Sequence, residues 1–198
     1  MPGWAWALVA VAVILVIAVV VWQALKTRRT HALQDRFGPE YDRTIDRADD
    51  RREAEADLAA RAKRREELDI KPLTTASRQR YLDEWQRVQA RFVDDPSGAV
   101  QEADRLIQGV MRERGYPMDD FDQRAADISV DHPEVVENYR EGHRLARSSA
   151  TGDGTTEELR QAMVHYRALF DELLEDADDR ALTRDRGAGS PSDSTIRR

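Results

Sequence analysis

An all-α protein is predicted from three observations. Residues 4–22 form nineteen consecutive positions without a charged or polar side chain. Beyond them, apolar residues recur at three- and four-residue spacing rather than in alternation, the period of helices and not of strands. Gly38-Pro39, Asp95-Pro96 and Gly115-Tyr116-Pro117 cut the chain into helix-length pieces. The expected architecture is an N-terminal single transmembrane helix (4–25), a basic juxtamembrane linker (26–39) and a charged spacer helix (40–71). An antiparallel bundle of about four helices (73–179) and a disordered tail (180–198) follow.

The first element is justified by length and by its flanks. At a helical rise of about 1.5 Å per residue, nineteen residues reach ~28 Å, close to the hydrocarbon thickness of a bilayer. Trp4 and Trp6 stand at one end and Trp22 at the other, where indoles favour both membrane–water interfaces. A buried core helix would keep a polar face, yet the residues between Leu8 and Val21 are apolar on every side. A cleaved signal peptide would need a basic start and a small-residue site after the run. Here Met1-Pro2-Gly3 has no charged side chain, and the Ala-x-Ala patterns lie inside the run. Lys26, Arg28, Arg29 and Arg36 all follow it, which places the N-terminus outside and the remainder in the cytoplasm.

Charge divides the chain in the same place. Four basic side chains and one acidic, Asp35, give residues 1–36 a net +3, which leaves −10 for the rest of a chain whose total is −7. The basic collar is drawn to an anionic leaflet, and the acidic body is repelled by it. Nucleic acid is not an expected partner, because the soluble part concentrates no basic stripe. The absence of cysteine excludes disulfides, thiolate metal sites and cysteine nucleophiles.

The soluble elements follow from patterning. Residues 40–69 are rich in Ala, Arg and Glu, but a seven-residue register from Tyr41 gives Tyr41, Ile45, Ala48, Arg52, Glu55, Ala59, Ala62 and Glu66, too polar for a tight coiled coil. A solvated spacer ~45 Å long is expected, with weak self-association through it as the other reading. Four stripes come next. Tyr81, Trp85, Val88 and Phe92 mark a helix over 77–93, and Val100, Ala103, Ile107 and Val110, widened by Leu106 and Met111, mark one over 97–114. Phe121, Ala125 and Ile128 share a face of a short segment. Pro133 opens a third long helix with Val136, Tyr139, His143 and Ala146 on its stripe. After a polar turn at 148–154, Thr155 and Glu158 form a capping box for the last, whose stripe is Leu159, Met163, Tyr166, Phe170 and Leu173.

No chemical motif is assigned. Of the histidines His31, His132, His143 and His165, the second and third lie eleven residues apart, ~16 Å along a helix and too far to share a metal. None has a Glu three residues before it, as di-iron bundles require. The acidic clusters Asp94/Asp95, Asp119/Asp120/Asp122 and Asp176/Asp178/Asp179 lack the alternation and central glycine of a calcium loop. Phosphate loops, nucleophile elbows and His-Glu-x-x-His are absent, so neither catalytic, cofactor-binding nor metal residues are named, no cofactor is expected, and an enzyme is the weaker hypothesis.

The stretches RFGPEYDR (36–43), RFVDDP (91–96), MRERGYP (111–117) and RQAMVHYR (160–167) resemble a functionally uncharacterised actinobacterial family of small membrane-anchored helical proteins. The resemblance covers about 35–174 and implies an anchored helical body, with no activity, cofactor or site residue attached to it. The functional expectation is a single-pass membrane-anchored binding or scaffolding module with a protein partner, its contact surface either acidic or centred on aromatics such as Tyr116. The alternatives are a bundle whose His143, His165, Tyr139 and Tyr166 converge on a small-ligand or catalytic pocket, and a homo-oligomer built through the 40–69 helix.

Overall fold

A computed structural model of the chain describes residues 3–150 and 155–175, with side chains over 14–148 and 155–175. The described residues form eight helices and no strand: α1 Gly3–Phe37, α2 Pro39–Arg47, α3 Arg51–Glu66, α4 Thr75–Arg91, α5 Pro96–Arg114, α6 Phe121–Asp131, α7 Val136–Ala150 and α8 Thr156–Leu174. The all-helical class expected from periodicity therefore holds. The polar turn at 148–154 lies largely outside the described residues, and the tail at 180–198 wholly so. The chain divides into two compact units, residues 1–63 and 64–198.

In the first unit, the basic linker expected at 26–39 is helical as far as Phe37, and the interruption read at Gly38-Pro39 falls between α1 and α2. α1 continues unbroken to Phe37, because no Gly or Pro interrupts its Ala, Leu, Gln, Lys and Arg residues before Gly38. Gly38 then adopts φ 45°, a conformation that glycine tolerates, and Pro39 starts α2 at its first turn, where a missing N–H costs nothing. Among the described residues no helix is long and apolar enough to cross a membrane. The side chains at 4–13, the first part of the expected span, lie outside those described.

The continuous 40–71 spacer helix is corrected to two shorter helices, α2 and α3. Ala48 is extended (φ −94°, ψ 144°), and Asp50 opens α3 by accepting a bond from the Arg52 amide at 2.9 Å. Asp50 followed by Glu53 is an N-terminal helix signal that the composition of the segment masked. Nor is the segment evenly solvated. Glu40 is 1 % exposed and Leu58 is fully buried, with Tyr41, Ala54 and Ala62 buried as well. A buried carboxylate must be paired, and Glu40 takes Arg61 at 3.2 Å. Glu55 gathers the three helices, accepting from Thr30 on α1 (3.1 Å), Tyr41 on α2 (2.9 Å) and Arg51 on α3 (3.1 Å).

The second unit is the bundle. Asp95 caps α5 by accepting from the Gly98 amide at 2.9 Å, with Pro96 at the first helical position. Gly115 ends the helix in the left-handed region (φ 98°), and the Tyr116 amide closes back on the Met111 carbonyl at 3.0 Å. Thr155 and Glu158 complete the capping box of α8. Cross-helix pairs set directions. Tyr81 meets Glu113, so α4 and α5 are antiparallel; His132 meets Glu172 and Asn138 meets His165, so α7 and α8 are too. Every apolar stripe residue named above for α5 and α8 is buried, and Trp85 stacks on Phe170 at 4.5 Å and 17°.

The start of the third long helix is moved by proline chemistry. Pro133 holds His132 at φ −131°, ψ 55°, so His132 terminates α6 and the regular helix α7 begins only at Val136. At the far end of the unit, the Arg114 guanidinium donates to the Leu173 carbonyl at 2.7 Å, placing a cation where the C-terminal turn of α8 leaves carbonyls without amide partners.

Candidate functional site

The residues expected to converge are brought together in part. α7 turns Tyr139 toward α8, where Tyr166 is fully buried and the two phenol rings lie 6.5 Å apart, while the half-buried His143 of the same helix meets α6. α6 contributes Phe121, which stacks on the His143 ring at 3.8 Å and 11°, and Arg124, whose Nε donates to the Tyr139 hydroxyl at 3.2 Å. Asp104 on α5 faces the same cluster. His165 does not join it; one residue of helical phase away, its Nδ1 pairs with Asn138 Oδ1 at 2.8 Å.

The electrostatics of this cluster favour neutral groups. Desolvation pushes the Tyr166 phenol well above its usual range, helped by the Asp104 carboxylate and by Tyr139. Burial raises Tyr139 as well, against the hydrogen bond from Arg124. Desolvation also depresses His143, with Arg147 and Arg124 acting in the same direction and Asp104 and Asp122 opposing. Two protonated phenols and a neutral imidazole can donate and accept hydrogen bonds, but the phenols are poor bases. The Tyr166 hydroxyl and Asp104 Oδ1 are both buried and neither has a partner at ordinary hydrogen-bond geometry among the described residues, although the Asp104 carboxylate lies close enough to help hold the phenol protonated. Gly142 is what allows this packing, since a Cβ there would lie 2.8 Å from the Tyr166 ring.

A second buried polar group was not expected from the sequence. Asp127 is 1 % exposed and accepts from Arg64 at 3.0 Å and Gln123 at 2.9 Å, while Asp131 accepts from Arg65 and, at 2.9 Å, from the Tyr116 hydroxyl. Tyr116 is thus a buried strut, not an exposed aromatic contact. His132 is 2 % exposed and binds Glu172 through Nδ1 at 3.0 Å. The Arg64 and Arg65 pairs, with the Lys71 amide on the Arg114 carbonyl at 2.8 Å, lock residues 64–71 onto the α5–α6 corner. Of the acidic clusters, Asp95 and Asp120 are helix caps and Asp119 pairs with Arg64. Among the described residues, no group of three metal-ligating side chains converges.

Two open surfaces carry the remaining possibilities. Between α4 and α8 a groove of about 250 Å³ has an apolar floor of Phe92, Met163 and Val164, rimmed by Gln89, Arg160 and Arg167. Apart from Gln89, its residues come from the RFVDDP and RQAMVHYR stretches; the other two motifs, RFGPEYDR and MRERGYP, are helix junctions organised by Gly38 and Gly115. In the first unit, a cleft of about 400 Å³ opens between α1 and α3 beside Trp22, Leu25, Lys26, Arg29 and Arg52. Comparison with protein-family models, with curated proteins and with solved structures finds no match to this chain.

Proposed function

We propose that this chain is a single-pass membrane-anchored helical binding module, held in the bilayer through residues 4–25 with its N-terminus outside and its bundle on the cytoplasmic side. One observation carries the reading. From Ile14 to Leu25 every large apolar side chain of α1 is exposed by 49 to 64 %, on consecutive positions and therefore around the whole circumference of the helix. An amphipathic helix docks one stripe and wets the other; a helix apolar all round needs an apolar solvent on every side. Lys26, Arg28 and Arg29 follow at once, which supports the direction of insertion.

The binding surface in this reading is the α4–α8 groove. Val164 stands 56 % exposed beside buried Met163, and the guanidiniums of Arg160 and Arg167 flank them. Arg160 and Arg167 are already paired with Glu157 and Asp171, so the fitting partner is a protein segment that seats an apolar side chain on Val164 and Met163. The test has two arms. Full-length protein is expected to stay with membranes through alkaline carbonate extraction, and a C-terminal tag to resist protease added outside intact cells. A photo-crosslinker at Val164 is expected to label one protein, with the label abolished by Met163→Glu. Extraction by carbonate would overturn the anchor, and labelling that is diffuse or indifferent to Met163→Glu would overturn the groove.

A further inference from the structure

We infer that the cleft between α1 and α3 is a binding site for the headgroup of an anionic phospholipid, whose acyl chains lie along the apolar part of α1. The inference rests on the membrane reading above and deepens it from general attraction to a built site.

The cleft stands where α1 changes character. Trp22 and Leu25 form its apolar lip, continuous with the exposed side chains from Ile14 onward. One turn later Lys26 and Arg29, three residues apart, point to the same side of the helix, and Arg52 faces them from the first turn of α3. An amphiphile needs this order of apolar track, then cation. The Lys26 ammonium also lies 5.9 Å from the Trp22 ring centroid, which holds indole and charge together at the boundary. Its volume of about 400 Å³ is in the usual range for small-molecule sites.

Charge accounting separates this cleft from an ordinary ion-paired surface. Among the described residues neither the Arg29 nor the Arg52 guanidinium has a carboxylate within ion-pair distance, and both are exposed. Arg51, next in sequence, is by contrast committed to Glu55 at 3.1 Å and to the Tyr41 hydroxyl at 2.9 Å. Glu55 is the carboxylate lining the cleft, and its charge is already taken up by Arg51, Tyr41 and Thr30. Burial alone would raise its pKa, but those hydrogen bonds outweigh burial and hold it below the usual carboxylate range. The cleft therefore presents three cations to one neutralised carboxylate. A phosphodiester oxygen between Arg29 and Arg52 would accept charge-assisted bonds from both.

Adjacent arginines make the test sharp. Arg28 and Arg29 sit at the same depth and carry the same charge, but only Arg29 lines the cleft. Full-length protein is reconstituted in vesicles of mixed phosphatidylglycerol and phosphatidylcholine, extracted in mild detergent, and its retained lipids counted by native mass spectrometry. Wild type is expected to retain phosphatidylglycerol, and Arg29→Gln or Arg52→Gln to retain about tenfold less, the size of a lost hydrogen bond to a charged group. Arg28→Gln should match wild type. Equal losses from Arg28→Gln and Arg29→Gln would mean a diffuse electrostatic collar and sink the site while leaving the anchor intact. Displacement of the lipid by millimolar inorganic phosphate would also overturn it, in favour of a free-anion site. If wild type never enters the vesicles, the anchor and this site both fall.

Discussion

Helices α1 and α8 are both rich in large apolar residues, and they meet opposite fates. In α8 the large apolar side chains other than Val164 keep to one face, and Leu159, Met163, Tyr166, Phe170 and Leu173 are all buried within their own unit. In α1 they are continuous, and those from Ile14 to Leu25 are exposed on every side. The difference teaches that periodicity, not hydrophobicity, decides whether a helix can be covered by its own chain. One stripe can be matched by the neighbouring helices of a bundle, whereas a full circumference needs a solvent.

The largest effects should separate the two helices cleanly. On the anchored reading proposed above, Ile17→Arg is expected to cost about 2.5–3.5 kcal/mol of membrane insertion, moving the protein toward the carbonate-soluble fraction while the thermal unfolding of the bundle is unchanged. Phe170→Ala should do the reverse. It leaves membrane association intact but removes the ring that stacks on Trp85, lowering bundle stability by about 3–5 kcal/mol in a denaturant titration. Crossed phenotypes, with either substitution disturbing both properties, would break the comparison.

A smaller effect sharpens the packing half of it. Gly142→Ala sets a methyl group 2.8 Å from the Tyr166 ring, and the overpacking should cost about 1–3 kcal/mol. Thr155→Ala removes the acceptor for the Glu158 amide, a bond of 3.2 Å, and should lower the melting free energy by about 1 kcal/mol.

The smallest is a pH dependence confined to the bundle. Desolvation lowers the folded pKa of His143 below its unfolded value near 6.5, so the folded state binds fewer protons in the window just under that value. Its contribution is present above the unfolded pKa and is lost as pH falls through the depressed folded pKa. Melting temperatures measured from about pH 7.5 down to 5 should therefore drop less steeply for His143→Gln than for wild type. An identical slope would remove this histidine as the cause.

Much of the bundle could be read from the chain because its signals are local. Asp95-Pro96, Gly115 and Thr155 with Glu158 act within one helical turn, and the stripes of α4, α5 and α8 record which side must leave water. The break at Ala48, by contrast, is marked only by Asp49 and Asp50 in a segment otherwise rich in Ala, Arg and Glu. Of the four side chains that the alternative pocket reading grouped, Tyr139 and Tyr166 meet and His143 joins them only through Phe121, whereas one residue of helical phase carries His165 to Asn138.

By itself, the order of residues determined helix type, helix ends, buried faces and the continuous apolar run of α1, since each depends on neighbours three or four positions away. Only tertiary structure decided where charges could be buried. Glu40 finds Arg61 twenty-one residues on, and Asp127 finds Arg64 sixty-three residues back. A carboxylate reads as a surface residue until a distant guanidinium neutralises it, and no local pattern encodes that meeting.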